Sequence, residues 1–264
     1  MKKVMFIITV VLLLAAFGIS AFMVGNYLID GKKQEELNNE LSQIVSAAQT
    51  TPRETTSGEE TEATRATETV EEGGMLPGYK EIYEMNSDTV GWLKLPGTEL
   101  DYPVMQTPNS TDYYLYRDFN KAESKRGCIY AREVCDVNEP SDNITIYGHN
   151  MADGSMFAAL NAYVDKSAWE ENSLIFFDTL TEYHTYKIFA VFRTSANVGQ
   201  GFSYHQFVDA ANAEEFNNFV STCKSLAYYD TGITPVYGDK LICLSTCEYT
   251  LENGRLVVAA VRIT

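Results

Sequence analysis

Apolar and polar positions divide the chain into three textures. From Val4 to Gly25, "VMFIITVVLLLAAFGISAFMVG" runs without a charge. At a rise of ~1.5 Å per residue, about 20 such residues cross the hydrocarbon core of a bilayer as a helix. The next texture is amphipathic: "QEELNNELSQIVSAA" sets Leu37, Leu41, Ile44 and Val45 at helical spacing. That stripe predicts a short juxtamembrane helix with a face available for self-association, though it is too short to define a coiled coil. Then "TTPRETTSGEETEATRATETVEEGG", residues 50–74, carries almost no large apolar side chain. Such a composition cannot bury enough surface to offset its ordering entropy, so it predicts a disordered acidic stalk.

From Gly91 onward the pattern changes to short apolar or alternating runs. These are "VGWLKLP", "LDYPVMQ", "GCIYA", "NITIYGHN", "TYKIFAVFRTS", "KLICLSTC" and "RLVVAAVRIT". Turn-rich stretches such as "LPGTE", "VNEPSDN" and "LENG" separate them. Helical patterns interrupt at "GYKEIYEMN", at "MFAALNAYVDKSAWEEN" and around Cys223. In the last of these Phe216, Phe219, Val220, Cys223 and Leu226 share one apolar face, opened by a capping-box-like Asn212 and Glu215. The predicted fold is mainly β: a closed or nearly closed barrel of seven to eight strands with peripheral helices. The chain is expected to divide into a tip and membrane helix (1–29), a juxtamembrane helix and linker (30–74), and one folded domain (75–264).

Charge and sorting signals narrow the setting. A net charge of −16 argues against nucleic acid or an anionic membrane surface as partner. Lys2 and Lys3 before the apolar run favour an N-terminus held inside and a domain held outside, although Lys32 and Lys33 on the far side oppose that bias. The run is longer than a cleaved signal's apolar region, and "ISA" at residues 19–21 lacks the small-x-small pattern. An uncleaved, single-pass anchor is therefore expected. The five cysteines are an odd number, so at least one thiol stays unpaired within the chain. Cys223 reads as a packing residue, and the spacing of Cys128 and Cys135 allows a bridge without requiring one. No metal cluster, phosphate loop, dinucleotide motif or EF-hand run appears, so neither cofactor nor metal is expected.

The remaining cysteines, Cys243 and Cys247, bracket the candidate chemistry. In a strand over 240–247, Cys243, Ser245 and Cys247 face one way and Thr246 the other. Position separates the two thiols: Cys243 lies mid-strand among Leu241, Ile242 and Leu244, whereas Cys247 ends the strand, where a substrate can reach it. The bland alternative for Cys247 is a small apolar filler. A nucleophilic thiol needs an imidazole partner, and three histidines are available. His149 ends the run "NITIYGHN" next to Gly148, His184 sits at a strand entrance, and His205 lies in a Gly/Ser/aromatic loop. Strand-end placement favours His149, for which a satisfied rim histidine is an equal alternative on these grounds alone. Arg255 opens the last strand, eight positions after Cys247, and a guanidinium there suits the negative charge of acyl transfer. Its bland alternative is an edge charge that caps the strand and keeps it soluble, and Arg262 is the weaker candidate.

Taken together, "LSTCEY" with Arg255 downstream and "ITIYGHNM" about 100 residues earlier resemble the sortases, the cysteine transpeptidases of Gram-positive cell envelopes. "YYLYRDFNKAESKRGCIYA" also resembles the segment that leads to their histidine strand. The "YGHN" form, the helix near residue 80 and the helix at 209–228 are similar to class B; the pilus-building class's lid motif and C-terminal anchor are not seen. The resemblance implies Cys247 as nucleophile, His149 as acid/base and Arg255 as oxyanion or substrate clamp. It implies secreted proteins with a C-terminal sorting motif as acyl donors, and a peptidoglycan precursor or cross-bridge amine as acceptor. Ser245, Thr246 and Tyr204 are weaker substrate-contact candidates, each with an ordinary packing role as alternative. The competing readings are a pilus-polymerising sortase, a secreted cysteine peptidase of another fold, and a non-catalytic envelope-binding module.

Overall fold

The structure is a computed structural model of the chain that describes residues 2–49, 74–197 and 199–264. The expected acidic stalk at 50–74 lies outside the described residues apart from its last glycine, Gly74. A single helix, α1 (Lys2–Gln49), is followed by α2 (Tyr79–Met85) and the strands β1 (Thr89–Lys94) and β2 (Asp101–Met105). A 3₁₀ turn at Tyr113–Tyr116 leads to β3 (Ile129–Ala131) and β4 (Asn143–Tyr147). Next come a 3₁₀ segment at Phe157–Val164, α3 (Lys166–Glu171), β5 (Leu174–Thr179) and β6 (Thr185–Ser195). A 3₁₀ turn at Tyr204–Gln206, α4 (Ala213–Leu226), β7 (Leu241–Glu248) and β8 (Gly254–Arg262) complete the order.

The eight strands close into a barrel in the order β1-β2-β3-β4-β7-β8-β6-β5, with β5 returning to β1. Seven of them fall on the seven apolar runs. The eighth, β5, follows directly on the "MFAALNAYVDKSAWEEN" pattern, where no turn signal sets it apart. That helical pattern itself divides at Asp165, whose side chain accepts from the Ser167 amide and caps α3. Inside the barrel, Ile144 and Ile146 of β4, Ile242 and Leu244 of β7, and Leu256, Val258 and Ala260 of β8 form one core. On the outer face, Leu241, Cys243, Val257, Ala259 and Val261 pack beneath Phe216, Phe219, Val220 and Cys223 of α4. Burial on both faces explains why "KLICLSTC" reads as a near-continuous apolar run instead of alternating.

Helix α4 follows its expected cap closely. Asn212 accepts from the Glu215 amide, while the Glu215 carboxylate reaches back one residue further than a standard box, to the Ala211 amide at 2.9 Å. Leu226, expected on the buried face, is 41% exposed because it is the last helical residue. All five cysteines are free, so Cys128 and Cys135 are separate buried thiols.

The largest departure from expectation concerns α1. Its apolar stretch is exposed and is long and apolar enough to cross a membrane. Beyond it, the amphipathic stripe, read as a face available for self-association, is covered by the chain's own domain. Leu41 and Val45 are buried with Leu76, Tyr79, Ile82 and Trp92, and Leu37 and Ile44 pack against the same cluster. Gly78, at φ 82°, lets α2 begin against α1, since a Cβ there would lie 3.0 Å from the Ala48 Cβ.

Candidate active site

Strand pairing alone brings the three principal candidates into one row. β4 and β7 are parallel and pair up to Tyr147 with Ser245, and the Gly148 amide still donates to the Ser245 carbonyl at 3.2 Å. Two residues further on, His149 leaves β4 beside the position of Cys247. On the other side β8 runs antiparallel to β7 with Cys247 opposite Arg255. In each strand the inward positions are even-numbered, so His149, Cys247 and Arg255 all face outward at one rim, just beyond the layer covered by α4. Two parallel strands ending together beside the start of an antiparallel third therefore place a thiol between an imidazole and a guanidinium.

Of the five cysteines, Cys247 is the one that is not buried. Burial pushes the thiols of Cys128, Cys135, Cys223 and Cys243 up, away from the thiolate form. The structure thus separates Cys247 from Cys243, which lies at 0% exposure under α4. The Cys247 carbonyl accepts from the Asn150 side chain at 2.9 Å, and the Tyr249 hydroxyl donates to the Asn150 carbonyl at 3.1 Å. These bonds tie the end of β7 to the residue that follows His149.

His149 is fixed from both sides. Its Nε2 lies 2.8 Å from the Leu115 carbonyl. A carbonyl oxygen has no proton to give, so Nε2–H donates and Nδ1 is left as the exchangeable nitrogen. The Tyr116 ring packs 5.4 Å from the imidazole. On the other side the His149 carbonyl accepts from the Phe157 amide at 2.9 Å, closing the loop 150–156. Gly148 is required here because a Cβ would lie 2.7 Å from the Phe157 ring. The two other histidines are placed differently. Burial and then Arg262 hold His184 below the usual imidazole range, and burial, Arg132 and Arg255 do the same for His205.

Arg255 turns its guanidinium onto its own hairpin, Nη1 donating to the Gly254 carbonyl at 2.9 Å and to the Asn253 carbonyl at 3.3 Å. The hairpin is shaped by Glu248. Burial alone would raise that carboxyl, but hydrogen bonds from Thr250 and Leu251 and the nearby Arg193 hold it below the usual range. Ser245, Thr246 and Tyr204 are 1%, 2% and 3% exposed. Their hydroxyls are spent internally, Tyr204 with Ser245 at 2.5 Å and Thr246 on the Gly148 carbonyl at 2.7 Å. Burial pushes the Tyr204 phenol up to about 12. These three sit behind the rim and brace it. Asn150 and the Leu115 carbonyl are the groups sequence reasoning missed. Asn150 was within reach, since it follows His149 in "YGHNM", but a remote backbone carbonyl carries no residue signature. Among the described residues no group of three or more His, Cys, Asp or Glu is arranged to hold a metal ion.

An eight-stranded barrel with Cys, His and Arg aligned at one rim is the architecture of a cysteine acyltransferase of the sortase class. The sortase-domain family model matches residues 93–263, and the chain belongs to the sortase family. It is of the sortase B type, a cysteine transpeptidase. It is 33% identical over 189 residues to sortase B of Listeria monocytogenes, covering 70% of this chain and 74% of that one. Sortase B of Staphylococcus aureus is 28% identical over 186 residues, with the same two coverages. Among solved structures, the S. aureus sortase B–substrate complex superposes with a TM-score of 0.75 at 24% identity, over 89% of this chain and 99% of that one. Sortase B of Bacillus anthracis superposes with a TM-score of 0.71 at 26% identity, over 90% and 99%.

Proposed function

We propose that this chain cleaves the C-terminal sorting motif of secreted proteins after a threonine and joins the acyl group to a cell-wall amine. The observation that carries the reading is the single outward row His149–Cys247–Arg255, in which the one thiol that is not buried stands between a cation and an imidazole. The Cys247 thiolate attacks the threonine carbonyl, and the tetrahedral oxyanion is met by Arg255, whose charge no physiological pH removes. As the peptide C–N bond breaks, His149 gives its Nδ1 proton to the departing amine and a thioester remains on Cys247. An amine from a peptidoglycan precursor or cross-bridge then attacks the thioester, His149 takes back a proton, and the thiolate is released. Water in place of the amine gives slow hydrolysis.

The apolar part of α1 supports a single membrane crossing, and the lysines at positions 2 and 3 support an inside N-terminus with the barrel outside. Both substrates are then held at the same envelope surface as the enzyme. The reading is tested with the full chain in detergent, offered quenched peptides with Pro-x-Thr-Gly and Asn-Pro-x-Thr cores, with and without added amines. Expected is cleavage after threonine, amine adducts identified by mass, and loss of both in Cys247→Ala. A wild-type chain that cleaves none of them and whose Cys247 resists thiol reagents would return the fold to a binding role.

A further inference from the structure

The short segment from Ser124 to Gly127 touches α1 on one side and both supports of His149 on the other. Arg126 is 4% exposed. Its guanidinium lies against Gly31 of α1, where any Cβ would collide with the Nη2 atom, and it stands 5.1 Å from the centre of the Tyr27 ring. The same guanidinium donates to the Ser155 hydroxyl at 2.7 Å and forms an ion pair with Asp153. Burial alone would raise the Asp153 carboxyl, but Ser155 and Arg126 hold it below the usual range. Both partners belong to the loop 150–156 that leaves His149 and is closed by the His149 carbonyl. Gly127, at φ 58°, packs against the Leu115 carbonyl so closely that no side chain fits, and that carbonyl receives the His149 Nε2–H. The Gly127 carbonyl in turn accepts from buried Gln34 of α1 at 3.2 Å, and Asp30 accepts from Ser124 at 3.3 Å.

A buried guanidinium must keep its partners, because an uncompensated charge away from water is costly. Arg126 therefore cannot release Gly31 without also shifting its hold on Asp153. We propose that Arg126 is a positioning residue, through which the turn of α1 at Tyr27–Gln34 holds His149 in register with Cys247. The helix that leaves the apolar run is thus part of the catalytic unit and does not merely tether it. Only the kinetic arm of the test below rests on His149 being the acid/base.

Hydrogen exchange of the full chain in detergent, followed by mass spectrometry, reads the coupling without requiring turnover. In Gly31→Leu, exchange within 113–117 and 150–157 should quicken about tenfold while β6, β7 and β8 keep their protection. Asp153→Asn, which strips the buried guanidinium of its anionic partner, should quicken exchange within 150–157 and, through Arg126, within 27–34. With a quenched Asn-Pro-x-Thr peptide, Gly31→Leu should lower kcat about tenfold and leave KM within twofold, and its Cys247 should still alkylate at the wild-type rate. Arg126→Lys keeps a charge beside Asp153 but loses the guanidinium's contact with Gly31, so it should loosen 27–34 and quicken 150–157 less than Gly31→Leu does. Unchanged exchange at 150–157 in Gly31→Leu, or at 27–34 in Asp153→Asn, overturns the proposal. A wild-type chain that leaves the peptide intact would speak against the proposed function and leave the exchange result standing.

Discussion

At Arg255 the residue scale has a clear expectation. The guanidinium stands opposite Cys247 and is parked on the Asn253 and Gly254 carbonyls, which use only one of its nitrogens. Lysine keeps the charge but offers a compact ammonium in place of a planar fork. Arg255→Lys should therefore lower kcat/KM by about 10²- to 10³-fold, the usual cost of a lost oxyanion donor. Steady-state kinetics with the cleaved peptide measures this, and a loss within twofold would remove Arg255 from the reaction. The site was largely legible at this scale. Alternation and strand ends singled out Cys247 and Arg255, because both properties follow from the chain's own pattern. Strand-end placement favoured His149 over His205 but left a satisfied rim histidine as an equal alternative, since what holds its ring is the Leu115 carbonyl from 34 residues upstream, which carries no residue signature.

Among the elements, α1 is what the structure recasts. Here α1 itself meets the domain, and the flanks of the acidic segment are drawn together where Gly78 adjoins Ala48. Excising residues 52–72 should leave the melting temperature of the full chain within a few degrees, because loop closure depends only weakly on length, about 0.6 kcal/mol per doubling. Leu41→Ala, in contrast, empties a site at 0% exposure and should cost about 2–4 kcal/mol. Thermal melts of both variants check this; equal behaviour would mean that α1 does not dock. The amphipathic stripe was legible, but its partner was not, since an apolar face looks the same whether a second copy or the chain's own α2 covers it. β5 escaped for a related reason: its run adjoins a helical pattern with no punctuation between them.

Across the whole molecule, the barrel presents the ends of β4 and β7 and the start of β8 at one rim, and α1 reaches the same neighbourhood through Arg126 and the loop after His149. One run of contacts thus links the end of the long apolar helix, the stripe docked on the domain and the candidate site. The central claim is that the enzyme carries its acyl group on Cys247. It is tested most directly by the intact mass of the full chain, quenched in acid during turnover of a sorting-motif peptide without added amine. The expected result is a mass increase equal to the peptide's acyl portion, mapped to Cys247 and removed by hydroxylamine. Cleavage with no adduct on Cys247, or an adduct on any of the four buried cysteines, would contradict it.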